Sequence, residues 1–452
     1  MNTCKLLLTI TLTAAAALDV AAQTKKGAAA QASNAASEKA APAPFDRKRF
    51  DEMRREGFDA LYNLDYEGAR RHFTEMTRAF PDHPAGYQFL AAGLWLKTLN
   101  ESRRLQASLY NNEGFYKEDK NDKAETKAAA EFKELTRRTK ELCDARLKAD
   151  PKDADALYYL GASEGLKAAW GSMVERSFMS ALKNGNDSVD HHRDLLKLDP
   201  AFTDAKVTVG MYDYVVGALP LPVKILASIG GFRGSKKRGL ATLELVAREG
   251  AWAKDDAKSL LIALLKREGR FRDAFTYANE LATKYPRNYL FRMEAADALV
   301  SQAEVERATN PEAAKKTESE AFAVFDALLA PQRGANAPRP PLDLVHYNYG
   351  EALLVAGQAE RAAKELLAAA TAQNAESSMV TRARLRAAQA LDVAGRREEA
   401  LTQYKAVLAL PDVFDSHEGA KRGIKEPYKL THKVGENAGG EAASETRGEQ
   451  AR

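Results

Sequence analysis

Cysteine is nearly absent from this chain, with only Cys4 and Cys143 among 452 residues. Cys4 falls in a segment read below as a removable leader. The remaining chain can then close no intramolecular disulfide and has to be held together by apolar burial. Cys143, inside an apolar-periodic helix over 135–147, is expected to be part of that burial. Past position 23 no apolar run approaches the roughly 20 residues a spanning helix needs. An excess of one charge is missing too: 67 basic and 63 acidic residues give a net charge of +4. Such an interspersed surface argues against a nucleic-acid partner. The chain also lacks GxSxG, HExxH, CxxC, a Walker-type phosphate loop and any paired-carboxylate signature. An enzyme therefore has nothing to rest on, and no catalytic residue or cofactor is assigned. The one histidine cluster, His191-His192 among Asp187, Asp190 and Asp194, puts Asp187 and His191 on one helix face, where they could approach a metal together. Adjacent helical residues diverge by about 100°, and no second metal-spaced cluster accompanies the pair. A solvated helix surface is expected there, with no metal.

What is present begins with an export signal. Lys5 precedes an apolar run from Leu6 to Leu18, and Val20-Ala21-Ala22 offers small residues to a peptidase cutting before Gln23. Residues 1–22 are read as a signal peptide and the protein as exported, periplasmic or secreted. Residues 23–44 are rich in Ala, Lys, Ser, Gln and Pro and cannot offset their ordering entropy, so they form a disordered linker. The tail over 431–452 has the same character. Between them, 45–430 is helix-favouring almost throughout, without a convincing alternating strand, and the fold class is all-α.

The first hairpin is the clearest piece. Phe50, Met53, Gly57 and Leu61 recur at helical spacing, Asp65-Tyr66 turns the chain, and Ala69, Phe73 and Met76 form the facing stripe before Phe80-Pro81 stops it. Gly57, Tyr66, Ala69, Phe73 and Pro81 fall at the offsets of a tetratricopeptide repeat, which this segment resembles. Small residues let two antiparallel helices approach, an aromatic fills the gap, and the proline ends the second helix. The junction recurs at Asp150-Pro151 with Leu157, Leu160 and Gly161, and at Asp199-Pro200 with Val209 and Gly210. Weaker copies follow at Gly269, Ala274 and Pro286, at Tyr347, Gly350, Gly357 and Ala362, and at Leu391, Gly395, Ala400, Tyr404 and Pro411. The resemblance implies an α-solenoid wound as a right-handed superhelix.

The period is irregular. Pro81 to Pro151 is 70 residues and Pro151 to Pro200 is 49, against 34 in the family. Part of the excess is the polar stretch from Asn100 to Ala128, either a loop or an extension of both helices. An insert-containing half to about 250 and more regular repeats over 251–430 are therefore expected. Within the insert, Leu219-Pro220, Lys224 to Leu226, Gly231 to Gly234 and Gly239-Leu240 resemble the "LLP", "LKLL" and "GFxGxRxxGL" run of the tetratricopeptide-39 (inclusion-body clearance) family. Lys237-Arg238 and Ser235 depart from that pattern, and the family is intracellular.

These readings converge on an exported, non-enzymatic scaffold that binds a protein or peptide on its concave face. By the family's geometry, that face should present Arg54, Phe58 and Tyr62, then Asp155 and Tyr158, then Met211 and Tyr214, with aromatics and Met as anchors. The alternative is a peripheral envelope assembly factor that contacts a membrane or membrane protein through 215–238. There the apolar Val215 to Ile229 stretch would lie beside an anion-holding loop of Arg233, Lys236, Lys237 and Arg238, with Ser235 capping the next helix. A structural turn between helices is the plainer expectation for that loop.

Overall fold

A computed structural model describes residues 45–105, 126–219, 224–225, 228 and 233–430. The leader, the linker and the tail lie outside the described residues, as do positions 106–125. Among the described residues there are α-helices, one short 3-10 turn and no strand. In chain order the α-helices are α1 (Arg47–Tyr62), α2 (Tyr66–Ala79), α3 (Ala85–Glu101), α4 (Thr126–Ala149), α5 (Ala154–Met173) and α6 (Phe178–Leu198). Then come α7 (Lys206–Gly217), α8 (Lys236–Glu249), α9 (Lys254–Arg267), α10 (Phe271–Lys284), α11 (Tyr289–Arg307) and α12 (Pro311–Leu329). The last are α13 (Leu342–Val355), α14 (Ala359–Thr371), α15 (Ser377–Val393), α16 (Arg397–Leu408) and α17 (Ser416–Lys425). Each packs chiefly on its neighbours in sequence, so the molecule is an all-α solenoid of TPR-like hairpins.

Local chemistry explains where the helices start and turn. Side chains of Asp46, Asp65, Asp153, Ser235, Asn288, Asn310 and Glu376 accept amide hydrogens of the first helical turns. The turn inside a hairpin is built four times alike. Gly269, Gly357 and Gly395 take a left-handed backbone with φ of 72°, 76° and 76°. The next amide then reaches back to the helix: Arg270 to the Leu265 carbonyl, Gln358 to Leu353 and Arg396 to Leu391, each at 2.8 Å. In the first hairpin Leu64 holds that conformation without being glycine, with φ 61° and the matching Asp65 to Ala60 bond at 2.8 Å.

Packing between paired helices explains the remaining glycines of the repeat pattern. A Cβ on Gly57 would stand 2.2 Å from the Phe73 ring, one on Gly350 2.5 Å from Leu366, and one on Gly161 2.3 Å from the His192 ring. His192 thus does in the α5–α6 hairpin what Phe73 does in the first. Solvated surface, expected for it from sequence, is corrected: the imidazole is 2% exposed, stacks on Tyr158 and shares a hydrogen at 3.0 Å with the Tyr158 carbonyl. Burial lowers its pKa to about 4. Cys143 is buried in the first apolar cluster, and burial raises its thiol to about 12.

First helices of successive hairpins touch one another: α3 with α5, α11 with α13, and α13 with α15. Second helices stand farther apart. The row therefore curves with the first helices on its inner side. The helices are longest early, at 24, 20 and 21 residues for α4, α5 and α6, against 14 each for α9 and α10.

Candidate functional site: the inner face and its seam

The inner face is not an open trough along its whole length. The coil comes round until the α1 face meets the turn before α9. That turn is fixed by Asp204, which is buried and accepts the amide hydrogens of both Trp252 and Ala253 at 2.9 Å. Around the Trp252 ring stand the guanidinium groups of Arg47 and Arg54, 5.3 and 5.2 Å from its centre, and the steeply inclined rings of Tyr158 and Phe202, with centres 5.6 and 5.8 Å away. Arg47 and Arg54 are seven residues apart, two helical turns, and so share a face.

Farther along the same helix, Tyr62 stacks on Tyr285 with ring centres 4.9 Å apart and donates its hydroxyl hydrogen to Asp256. Tyr285 in turn donates to Asp255 at 2.6 Å, as does Lys284. The seam continues. The Asn288 side chain donates to the Tyr62 carbonyl at 2.7 Å, Tyr289 to Asn100 at 2.9 Å, and Arg103 pairs with buried Asp343 at 3.2 Å. Leu64 packs on the C-terminal apolar cluster, and Arg176 lies over Phe414 at 5.7 Å.

Crowding shifts the titration of this cluster. Burial is the largest cause raising Asp256 to about 6, with Asp255 and Asp204 adding to it while the Tyr62 hydrogen bond and Arg54 oppose it. Asp256 is nevertheless exposed at the rim of the cluster, so solvent screens this shift. Burial likewise pushes the Tyr62 and Tyr158 hydroxyls upward. Beyond the seam the inner face is lined by paired charge. Lys266 meets Glu294 and Asp297 at 2.6 and 2.5 Å, Arg386 meets Glu351 at 2.5 Å, and Arg382 lies over Tyr347 at 4.7 Å. Burial works against the Lys266 charge, and the two acids hold it nonetheless, raising its pKa.

Three residues chosen from sequence, Arg54, Tyr62 and Tyr158, are brought together here. The others are not. Phe58 fills the gap between α1, α2 and α3, 5.3 Å from Phe73 and 4.8 Å from Phe89. Asp155 pairs with His83 at 3.6 Å, and that contact lowers its pKa. Met211 packs half-buried on the α8–α10 cluster. Tyr214 is corrected from anchor to core: it is 1% exposed and donates its hydroxyl hydrogen to Glu268 at 2.7 Å. The reason is the glycine-mediated crossing of α7 and α8, where a Cβ on Gly239 would lie 2.5 Å from the Tyr214 nitrogen and one on Gly217 2.3 Å from the Lys236 nitrogen.

That crossing also absorbs much of the basic loop. Lys236 is held by Glu268 at 3.1 Å, and Arg238 spans both oxygens of buried Asp213 at 2.5 and 2.7 Å. Arg233 and Lys237 are exposed. Of the 215–238 segment, positions 220–223, 226–227 and 229–232 lie outside the described residues; Val215 and Ile225 are exposed.

No helix among the described residues is long and apolar enough to cross a membrane, and none of their His, Cys, Asp and Glu side chains gather in threes fit for a metal. A cavity of about 640 Å³ between α2, α3 and α4 has two ion pairs in its lining, Arg70 with Glu131 at 2.6 Å and Lys97 with Glu101 at 2.9 Å. Trp252, Asp256 and Tyr285 were not singled out from sequence. The only cue was a tryptophan in a short turn at Gly250 to Ala253, and nothing in one sequence tells that it lies beside Arg54.

No family model matches the chain, and no curated protein does. Solved structures with related helical winding include a human IFIT1 dimer with PPP-AAAA, 12% identical over 84% of this chain and 85% of that one, at a TM-score of 0.43. A tetratricopeptide repeat protein from Parabacteroides merdae is 13% identical over 75% and 99%, at 0.30. Yeast Tom70 is 13% identical over 84% and 88%, at 0.34. At these values nothing about ligand or partner passes from them to this chain.

Proposed function

We propose that this is an exported, non-enzymatic helical-repeat scaffold holding a protein or peptide segment along its inner face. The observation that carries the reading is the packing of first helix on first helix at α3–α5, α11–α13 and α13–α15, which sets these helices on the inner side. The side chains there are paired charges and aromatics, of which Tyr62, Tyr158 and Trp252 are half-buried, rather than converging nucleophiles, acids and bases. Paired charges at the bottom of a concavity fix the register of a polar chain, and aromatic planes supply contact area at small entropic cost. Export is supported by the composition of 1–22 and the linker after it. Kinship with the tetratricopeptide-39 family over 217–240 belongs to this proposal at the level of fold only.

The test is photo-crosslinking in cells, with a photoreactive residue in place of Arg386 on the inner side or of Glu320, exposed on α12. Crosslinks to another polypeptide from position 386 and few from 320 are the expected result. Equal yields, or none, would remove the inner face as the binding surface. The second reading, contact with a membrane through 215–238, is favoured by the exposure of Val215 and Ile225 beside Arg233 and Lys237; its test is argued in the Discussion.

A further inference from the structure

We infer that α1 occupies a docking ledge on the middle repeats that a partner helix of the same chemistry takes when the seam opens. The ledge is the Trp252 turn, Asp255 and Asp256 at the start of α9, and Tyr285 after α10. Against it α1 lays two arginines seven residues apart and, eight further on, an aromatic: Arg47, Arg54 and Tyr62. Two guanidinium groups lie at one indole, while the tyrosine stacks on another tyrosine and donates to a carboxylate. An aromatic and acidic ledge of this kind fits a basic amphipathic helix with the same spacing.

Two features mark the seam as an interface able to part. Its contacts are mostly hydrogen bonds, ion pairs and ring contacts, with Leu64 and Leu105 among its few aliphatic members, whereas hairpins stack on each other through buried apolar clusters. Polar interfaces of that kind within a chain behave like transient ones. In addition, α1 has its own apolar face, Phe50, Met53, Gly57 and Leu61, committed to the first hairpin. The early hairpins can therefore leave the ledge as a packed unit without unfolding α1. The ledge is then a docking surface masked by the chain itself.

This inference rests on the scaffold reading and names its partner class and its regulation. The probe is a fluorescein-labelled synthetic peptide with the sequence of residues 45–62, added to the full mature chain. A seam closed in nine molecules of ten or more lowers apparent affinity at least tenfold. In Arg54→Ala, Tyr62→Ala, which weakens the seam and leaves the ledge intact, the peptide should bind about tenfold more tightly than in wild type. Adding Trp252→Ala, Asp256→Ala should abolish that gain. Tyr62 also packs on the α9–α10 cluster, so the milder pair Arg54→Gln, Tyr62→Phe guards against misfolding and should give a smaller gain of the same sign. Opening is read separately from spin labels at Arg55→Cys on α1 and Lys315→Cys on α12, both exposed, while buried Cys143 stays unlabelled. The label distance should lengthen or broaden in the seam variants. Unchanged peptide affinity across all variants, or an unchanged label distance, overturns the inference. If only the scaffold reading fails, crosslinking from position 386 captures nothing while the peptide gain persists.

Discussion

Tyr62 donates its hydroxyl hydrogen to Asp256, 194 positions further along the chain. No repeat stacks on one so far away in sequence by following the row; the two meet because the row has curved back on itself. The carboxylate is thereby placed among Asp255 and Asp204 on one side and Arg54 and Tyr62 on the other. Its titration reports whether that meeting exists.

Acidification should therefore relieve the crowding of carboxylates at Asp256. The folded-state value of Asp256 is raised from 3.8 to about 6, so the stability linked to its protonation is full below about pH 4 and is lost as pH rises through 6. Solvent reaches the side chain and screens the effect, leaving about 1 kcal/mol in play. Asp256→Asn should raise the melting temperature at pH 7.5 and leave it unchanged or lower at pH 4.5. A substitution effect of the same size and sign at both pH values would show that the carboxylate is not crowded as described.

His192 works in the opposite direction. Burial lowers its pKa from 6.5 to about 4, so the folded protein resists a proton that the unfolded chain accepts. Stability present above pH 6.5 is lost as pH falls toward 4, by up to about 3 kcal/mol for this enclosed ring. His192→Phe, which puts here the side chain that the first hairpin uses, should remove that acid-side loss at some cost from the hydrogen lost to the Tyr158 carbonyl. Urea unfolding at pH 7.5 and pH 5 for both proteins decides it. If the wild type shows no greater loss of stability than the variant between the two, the ring is not held neutral.

What a single sequence carries well is anything enforced within one hairpin. Gly57 with Phe73 and Gly350 with Leu366 are each 16 residues apart, so the requirement for a glycine opposite a bulky group shows up as spacing. Between α5 and α6 the longer helices stretch that interval to 31, Gly161 to His192, and a histidine takes the aromatic's place. The pattern no longer looks like packing, and from sequence the histidine reads as surface. Tyr214 departs from its expected place for a related reason. Its spacing put it on the inner face, but the close α7–α8 crossing over Gly239 encloses it. The seam was out of reach altogether, since the approach of Arg54 to Trp252 depends on summed curvature over four hairpins and leaves no local periodicity.

Two glycine substitutions should be destabilising for different reasons. Gly57→Ala drives a methyl into the Phe73 ring, and overpacking of this kind costs about 1 to 3 kcal/mol. Gly357→Ala meets nothing within 4 Å, but its φ of 76° is strained for alanine, at about 1 kcal/mol. Shortening the opposing ring, Phe73→Leu, should rescue the first in part and leave the second untouched. A double-mutant cycle by chemical denaturation would show this as a coupling energy for the Gly57 and Phe73 pair only; additivity in both would mean that the close approach is relieved by backbone movement.

Membrane contact through 215–238 calls for a choice of probe that the fold dictates. Reversing the charge of Arg238 would set a carboxylate against Asp213, which is 4% exposed, and an uncompensated buried acid costs several kcal/mol. Lys236 is similarly tied to Glu268. Loss of lipid binding in either variant would then report unfolding as readily as lost attraction. Arg233 and Lys237 are exposed, and their reversal leaves the helix crossing intact. Near an anionic surface each basic residue contributes about 1 kcal/mol, so Arg233→Glu with Lys237→Glu should weaken flotation with anionic vesicles by well over tenfold while the melting temperature stays within a degree or two. If the wild type does not float with such vesicles, or the double variant floats equally well, the basic loop has no role at a membrane and its remaining function is to cap and cross α7 with α8.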